Sequence, residues 1–490
     1  MADIFDSILN RSTPADNRRQ QEQTAGRGTA QGEGQNDYDR KGEVQLLGRG
    51  VIYGPDLRDT SVPRCTANAS SHPVVTLPSP SGARFGMSDE LLSRHLLILG
   101  GTGMGKSNVF YQITEQTMRS MPRDSVMLIF DTKGDFRRRF YQPHNPDHIL
   151  IGNEEIYRGC SLAWNLFDEV LDAGGTSLNT LEIRLKEITA HLYRGRESET
   201  QPFFSMAAAD LFVIFVFDYI VHKRGPFTNQ ALISALKRTD ARGMMKIIEA
   251  NDRFASARSY LGNPDKQTAQ SLGILAYINS MVSDLFKGVF AEDRRAGFLA
   301  MDKIVRQGGR KKIFLEYDLS AGTVLGPMYS LLIDQALKAA LAGQEDGRPH
   351  LYLVIDEFKL LPDLDHIEHA LNYGRSKGIR VCAGIQSVSQ IYEVYGREKG
   401  ESILSGFMNC FAFKTIDRES REYTSERFGK NYSTINYISD THYYSIQREG
   451  YAVEDWDILA LDTGDAYIDL LGYPSFKFHF CEYPAPTGQS

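Results

Sequence analysis

Gly100-Gly101-Thr102-Gly103-Met104-Gly105-Lys106-Ser107 follows the apolar run His95-Leu96-Leu97-Ile98-Leu99 and leads into a helical pattern carried by Val109, Phe110 and Ile113. The order is strand, glycine loop, helix, so the octet satisfies G-x-x-x-x-G-K-[ST] in the setting a phosphate-binding loop requires. Glycines let the backbone curl until successive N–H groups converge on phosphate oxygens, and the helix N-terminus adds partial positive charge. Gly100, Gly101, Thr102, Gly103, Met104 and Gly105 are accordingly expected to form the cradle. Lys106 brings a mobile cation to it, and Ser107 is expected to hold Mg²⁺. A chance glycine turn would match the octet without its flanking strand and helix.

At 490 residues the chain is long for one domain, and two or three units around at least one large core are expected. A net charge of -7 argues against a protein that coats nucleic acid over its whole surface, while leaving room for a locally basic channel. The five cysteines, Cys65, Cys160, Cys382, Cys410 and Cys481, have no C-x-x-C spacing, which suggests neither a disulfide framework nor a zinc site. A reducing cytoplasm fits this usage. The first ten residues lack the basic start and long apolar core of a secretory signal. Residues 211–221, the most apolar stretch, are too few to span a bilayer and include Asp218, so they read as a buried helix.

Residues 1–42 are poor in apolar side chains after Leu9, and a disordered tail is expected there. Residues 43–170 read as the first part of a nucleotide-binding domain. They open with short apolar runs broken by Gly, Pro and Ser, which predict short strands packed beside it. Val126-Met127-Leu128-Ile129-Phe130 is a second buried strand after the P-loop helix, and the strand-helix-strand order implies a mainly parallel sheet. Thr132-Lys133-Gly134-Asp135 imitates a guanine-reading T-K-x-D motif, but no D-x-x-G segment precedes it. Arg137, Arg138 and Arg139 read as a solvated charge run. Over residues 171–300 the pattern becomes amphipathic helices, with Leu178, Leu181, Leu185, Ile188 and Leu192 on one face and Thr228 as an N-cap, which predicts an inserted all-α domain.

Residues 301–490 return to strand character and supply the second part of the nucleotide-binding domain. Leu351-Tyr352-Leu353-Val354-Ile355 ends in Asp356-Glu357. A buried strand that delivers two carboxylates at its C-terminal end is what a P-loop ATPase needs: Asp356 for the Mg²⁺ shell, and Glu357 to orient and deprotonate the attacking water. Residues 379–385 form a further buried strand closed by Gln386, where a γ-phosphate sensor would sit. A helix is expected from residue 362 to about 377. His366 and His369, at i and i+3, read as a solvated helix face rather than a metal pair. Two short strands joined at Gly472-Tyr473-Pro474 close the pattern.

These stretches also carry a family resemblance. H-L-L-I-L-G-G-T-G-M-G-K-S, L-I-F-D-T-K-G-D-F, A-W-N-L-F-D-E-V, L-V-I-D-E-F, Y-G-R-S-K-G-I-R-V-C-A-G-I-Q-S-V-S-Q and Y-T-S-E-R-F-G-K, in this order, resemble the type IV coupling proteins of conjugation and type IV secretion (TraG/TraD-like), relatives of the FtsK and HerA DNA-pumping ATPases. The resemblance covers about residues 96–430. It implies an α/β fold, a RecA-like P-loop nucleotide-binding domain with an inserted all-α domain, assembled as a homo-hexameric ring around DNA and using ATP and Mg²⁺. It also implies roles by position: Lys106 and Ser107 on phosphate and Mg²⁺, Asp356 and Glu357 as the acidic pair, Gln386 as the sensor. Arg375, in Y-G-R-S-K-G, matches the family's arginine finger, which reaches the neighbouring subunit's nucleotide. Coupling proteins usually begin with two transmembrane helices. None is visible in residues 1–42, which points to a cytoplasmic chain, tethered to the membrane by a partner or working as a soluble HerA/FtsK-like motor in plasmid maintenance or defence. The rival reading is a nucleotide-gated platform that recruits a relaxase or secretion-channel proteins.

Overall fold

The computed structural model describes residues 45–57, 62–63, 73–196, 201–263, 268–292, 297–317, 319, 322–361, 364–439 and 442–485. The expected tail at 1–42 lies outside them. The strands in chain order are Gln45–Tyr53 (β1), Val75–Pro78 (β2), Arg84–Met87 (β3), Leu96–Leu99 (β4), Val126–Asp131 (β5), His148–Gly152 (β6), Ala163–Trp164 (β7) and Phe298–Leu299 (β8). Lys311–Glu316 (β9), Leu351–Ile355 (β10), Ile379–Ile385 (β11), Asn409–Phe413 (β12), Lys430–Ser439 (β13), His442–Tyr451 (β14), Asp465–Asp469 (β15) and Phe476–His479 (β16) follow.

Two compact units result. The smaller joins residues 45–57 to 425–454, and the larger holds the described residues of 58–424 and 455–485. In the smaller unit β13 lies between β1 and β14, antiparallel to both. Arg49 fixes the register of β1: its Nε donates to Ser433 Oγ at 3.0 Å and its Nη2 to Asn431 Oδ1 at 2.8 Å. The sequence pattern reads residues 45–57 and 425–454 as part of the nucleotide-binding domain. By contact they form a compact unit of their own, since β1 pairs with a strand 384 positions further on, a partner no local pattern announces.

The larger unit is built on a nine-stranded sheet in the order β16-β15-β12-β4-β11-β10-β5-β9-β6. The seven strands from β12 to β6 are parallel to their neighbours, and β15 and β16 add an antiparallel edge. Strands β4, β5, β10, β11 and β12 are buried along their whole length, which explains why they read as continuous apolar runs. The expected mainly parallel α/β sheet is thus present. The β2–β3 hairpin covers one face, with the Phe85 ring 4.9 Å from Phe478 and 5.2 Å from Phe476 in edge-to-face contact.

The helical run enters and leaves the sheet through a small parallel pair, Ala163 opposite Phe298 and Trp164 opposite Leu299. Glu169 ties this base together. Its carboxylate accepts from Met301 N at 2.9 Å, Asp302 N at 2.8 Å and Trp164 Nε1 at 3.2 Å, while burial pushes its pKa up to about 7. Leu178–Tyr193 starts at Ser177, whose Oγ accepts from Thr180 N, and Asn229–Lys237 starts at Thr228, whose Oγ1 accepts from Ala231 N. Pro202–Val221 is long and apolar enough to cross a membrane by length and composition, yet 72% of its apolar window is buried inside the unit. It is the core helix of this layer, as the sequence predicted.

The helix expected from residue 362 to about 377 is shorter. It spans Ile367–Tyr373 and stops because Gly374 and Gly378 turn the chain into β11: a Cβ on Gly374 would fall 2.0 Å from Ala370 O, and Gly378 takes φ 75°. Nor is His366 on a solvated face. It is half-buried, with Nδ1 2.6 Å from Asp334 Oδ2, and His191 Nε2 lies 3.1 Å from the same oxygen. The two histidines hold the Asp334 carboxyl below the usual range although burial pulls it up. His369 is exposed beside Tyr373.

Candidate active site

Five strand ends meet along one edge of the parallel sheet. The P-loop leaves β4, Asp356-Glu357 leaves β10, Gln386 leaves β11, Lys133 follows β5, and Lys414 follows β12. Ligand crevices in open α/β sheets form outside the carboxyl ends of strands. Here the crevice is a cleft of about 240 Å³ whose lining includes Gly101–Gly103, Gly105–Asn108, Lys133, Asp356, Glu357 and Gln386.

The loop is shaped by its glycines. Gly103 and Gly105 take φ 79° and 104°, conformations a side chain would strain. Gly100 donates to Ile385 O at 3.1 Å, Gly101 to Lys414 O at 2.8 Å, and Met104 O accepts from Gly464 N at 3.0 Å, so the cradle is pinned to three neighbouring segments. Met104 therefore serves through its backbone. Lys106 opens the helix Lys106–Ser120 and turns its ammonium onto the carbonyls of Gly100 and, at 3.2 Å, Gly101. Burial lowers the Lys106 pKa, Glu357 and Asp356 oppose that fall, and Lys133 adds to it. Lys106→Ala is expected to weaken nucleotide binding at least tenfold without lowering the melting temperature appreciably, since the side chain ends in the cleft; titration with a fluorescent nucleotide and a thermal melt check both.

Asp356 is buried, and its pKa is pushed up to about 6 by desolvation, with Lys133 pulling against that. Gly384 on β11 permits this packing, for a Cβ there would fall 2.3 Å from Asp356 O. Glu357 Oε2 accepts from Gln386 Nε2 at 2.6 Å, and Gln386 Oε1 in turn accepts from Thr102 Oγ1 at 3.3 Å. The other carboxylate oxygen, Glu357 Oε1, is buried and has no hydrogen-bond partner among the described residues. Glycine N–H groups, two lysines, the Ser107 hydroxyl and two carboxylates make a donor set suited to a polyphosphate with a hard divalent cation.

Of the predicted residues, Gly100 and Met104 belong to the loop without lining the cleft, and Arg375 lies away from it altogether. Arg375 sits in the exposed turn before β11, at the opposite edge of the sheet, with its Nη2 3.5 Å from Glu90 Oε1. The seven residues of β11 separate it from Gln386 by roughly 20 Å. Two cleft residues were not assigned to the site from the sequence. Asn108 lines the cleft while its amide donates to Cys481 O at 2.7 Å. Lys133 lines it too, and only its place two residues after a buried strand could have signalled that. The three arginines beyond it are not a free charge run. Arg137 pairs with Glu316 at 2.8 Å, Arg138 with Asp135 at 2.6 Å, and Arg139 lies over the Tyr111 ring.

Asp131, at the end of β5, is fully buried and accepts from Arg137 N at 2.8 Å and Lys133 N at 3.4 Å. Burial outweighs those bonds and pushes its pKa up to about 7 from an ordinary 3.8. The native state therefore keeps a proton that the unfolded chain releases above pH 4, and this group's contribution to stability falls as pH rises toward 7, by up to about 1.4 kcal/mol per pH unit. Unfolding in denaturant at pH 4.5, 6 and 7.5 is expected to show this fall in the wild type and a flatter profile in Asp131→Asn.

A family model described as the type IV secretion-system coupling protein DNA-binding domain matches residues 82–449. Coupling protein TraD of Escherichia coli (strain K12) is 23% identical over 330 residues, 64% of this chain and 40% of its own. The chain thus spans about two fifths of the length of that relative. Among solved structures, the plasmid coupling protein TrwB in complex with ADP and Mg²⁺ aligns with a TM-score of 0.67 at 18% identity, over 91% of this chain and 96% of that one. TrwB with the non-hydrolysable ATP analogue ADPNP aligns with a TM-score of 0.66, over 90% and 97%. At that identity the likeness speaks for the fold.

Proposed function

The chain belongs to the type IV secretion-system coupling protein family, and we propose that it hydrolyses ATP, with Mg²⁺, to move DNA through a ring of its own copies in conjugation or type IV secretion. The observation that carries this reading is the meeting of Lys106, Ser107, Asp356, Glu357 and Gln386 in one cleft from three different strand ends. Glycine amides and Lys106 bind the phosphates, and Ser107 and Asp356 would hold Mg²⁺, which would supply charge neutralisation at the phosphates. Glu357 orients a water and takes its proton as the water oxygen bonds to the γ-phosphorus and the bridge to the β-phosphate breaks. Gln386 holds Glu357 in place through the 2.6 Å bond and links it to Thr102 on the P-loop. The site would then register, through Gln386, whether a γ-phosphate is present.

Arg375 completes the site from a neighbouring subunit, so turnover requires the ring. The ring expected here holds six copies around the strand, with backbone contacts to DNA giving little sequence preference. A relaxase and secretion-channel proteins are the partners expected at the cytoplasmic face of the membrane. The test is ATP turnover with and without DNA and with no other protein present, beside native mass spectrometry in ATP and DNA. DNA-stimulated turnover by a multi-subunit ring is expected. A chain that stays monomeric under all conditions, or turns over no ATP, would sink the proposal.

A further inference from the structure

We infer that Lys133 is a second phosphate-contacting lysine, and that it makes the cleft prefer nucleoside triphosphates over diphosphates; the inference rests on the ATP-hydrolysing reading of the site. Strand β5 lies beside β10 with Phe130 opposite Ile355, so the turn after Asp131 opens next to Asp356 and Glu357. Lys133 thereby lines the same cleft as the P-loop. Its side chain is exposed and makes no ion pair with the described residues.

The turn that carries Lys133 is held without help from its ammonium group. Lys133 N donates to Asp131 Oδ1 at 3.4 Å, Lys133 O accepts from Arg138 Nη2 at 2.9 Å, and Gly134 takes φ 69°, where a Cβ would fall 2.8 Å from Glu316 Oε1. A cation on a fixed backbone, with its ammonium in no hydrogen bond or ion pair with the described residues, is available to meet an anion. Lys106 differs, since its ammonium already leans on the Gly100 and Gly101 carbonyls.

Charge counting gives the selectivity. Lys106 and Lys133 balance Asp356 and Glu357 in the cleft lining, which leaves these four side chains neutral in sum. A magnesium-bound triphosphate carries one more negative charge than the diphosphate, and that charge sits on the terminal phosphate, nearest the acidic pair and the turn beside it. A lysine there relieves repulsion that only the triphosphate creates. Lys133 therefore contributes most to triphosphate binding and little to the diphosphate.

The experiment titrates the full chain with ADP and with a non-hydrolysable ATP analogue, each with Mg²⁺. Lys133→Ala and Lys133→Gln are expected to weaken the analogue about tenfold and ADP less than about twofold, with Lys133→Arg recovering part of the loss. Because the side chain is exposed, melting temperatures should not move, and three substitutions keep the result readable if one fails to fold. Equal losses for both nucleotides, or no loss for either, overturn the inference. Lys106→Ala separates it from the reading beneath it. If Lys106→Ala keeps wild-type affinity for both nucleotides, the cleft is not the nucleotide site and the broader proposal falls. If Lys106→Ala loses both while the Lys133 variants lose neither, only the role of Lys133 falls.

Discussion

Glu357→Gln is expected to lower DNA-stimulated ATP turnover by about a thousandfold while changing nucleotide affinity less than about threefold. The two carboxylate oxygens have different duties. Oε2 is occupied by Gln386 Nε2, whereas Oε1 is buried with no partner among the described residues, a costly state that a bound water would relieve. Glutamine keeps the shape and one acceptor but cannot take a proton. It also presents an amide toward Gln386 or toward the water, and either choice spoils one of the two contacts. Phosphate-release kinetics check the first number and fluorescent-nucleotide titration the second. If the variant turned over within tenfold of wild type, Glu357 would not be the base. A loss of binding as large as the loss of turnover would make it a structural residue instead.

Arg375→Ala should cost about a thousandfold or more in turnover, the scale found for arginine fingers, with nucleotide affinity nearly unchanged. The sheet itself requires that any such role be exerted on another copy, because Arg375 and the P-loop lie at opposite edges of the same parallel strands. Release of the side chain is cheap. Its partner Glu90 is 3.5 Å away and the two side chains are 52% and 71% exposed, a pairing worth less than about 1 kcal/mol. A mixing experiment gives the sharper result. Arg375→Ala and Lys106→Ala chains, each inactive alone, should regain turnover when combined, since about a quarter of the interfaces in a random ring pair an intact P-loop with an intact arginine. Wild-type activity of Arg375→Ala alone would end the shared-site model.

The parts of the site that were legible in the sequence are those written by local pattern. Glycines in a fixed register between a buried strand and a helix can hardly be read otherwise, and Asp356-Glu357 and Gln386 stand out because each ends an apolar run. Lys133 stands in a motif-like turn that gave no sign of a place in the site. It sits in a polar turn beside three arginines, and only the pairing of β5 with β10 reveals that this turn faces Asp356. The same limit applies to His366, whose partner Asp334 stands 32 positions earlier on another helix and is shared with His191. Helices were read well where a cap and an apolar face agree, as at Thr228. The residue 362–377 helix was drawn too long because Gly374 and Gly378 act through close backbone approaches that no spacing rule records.

The pairing of β1 with β13 bears on how the chain is made. A strand at residues 45–53 leaves the ribosome with no partner in reach, and β13 begins only at Lys430. At ordinary synthesis rates the wait is roughly 20 to 80 s. Throughout it, Gln45–Tyr53 is an unpaired strand that bears Leu47, Ile52 and Tyr53, side chains that remain largely exposed even after pairing. The larger unit must meanwhile wait for β15 and β16, which arrive after the β13–β14 hairpin has interrupted it. Neither unit closes before β14 has emerged and the larger one not before β16, so a nascent chain-binding factor acting on Gln45–Tyr53 should matter more for yield than one acting on the sheet core.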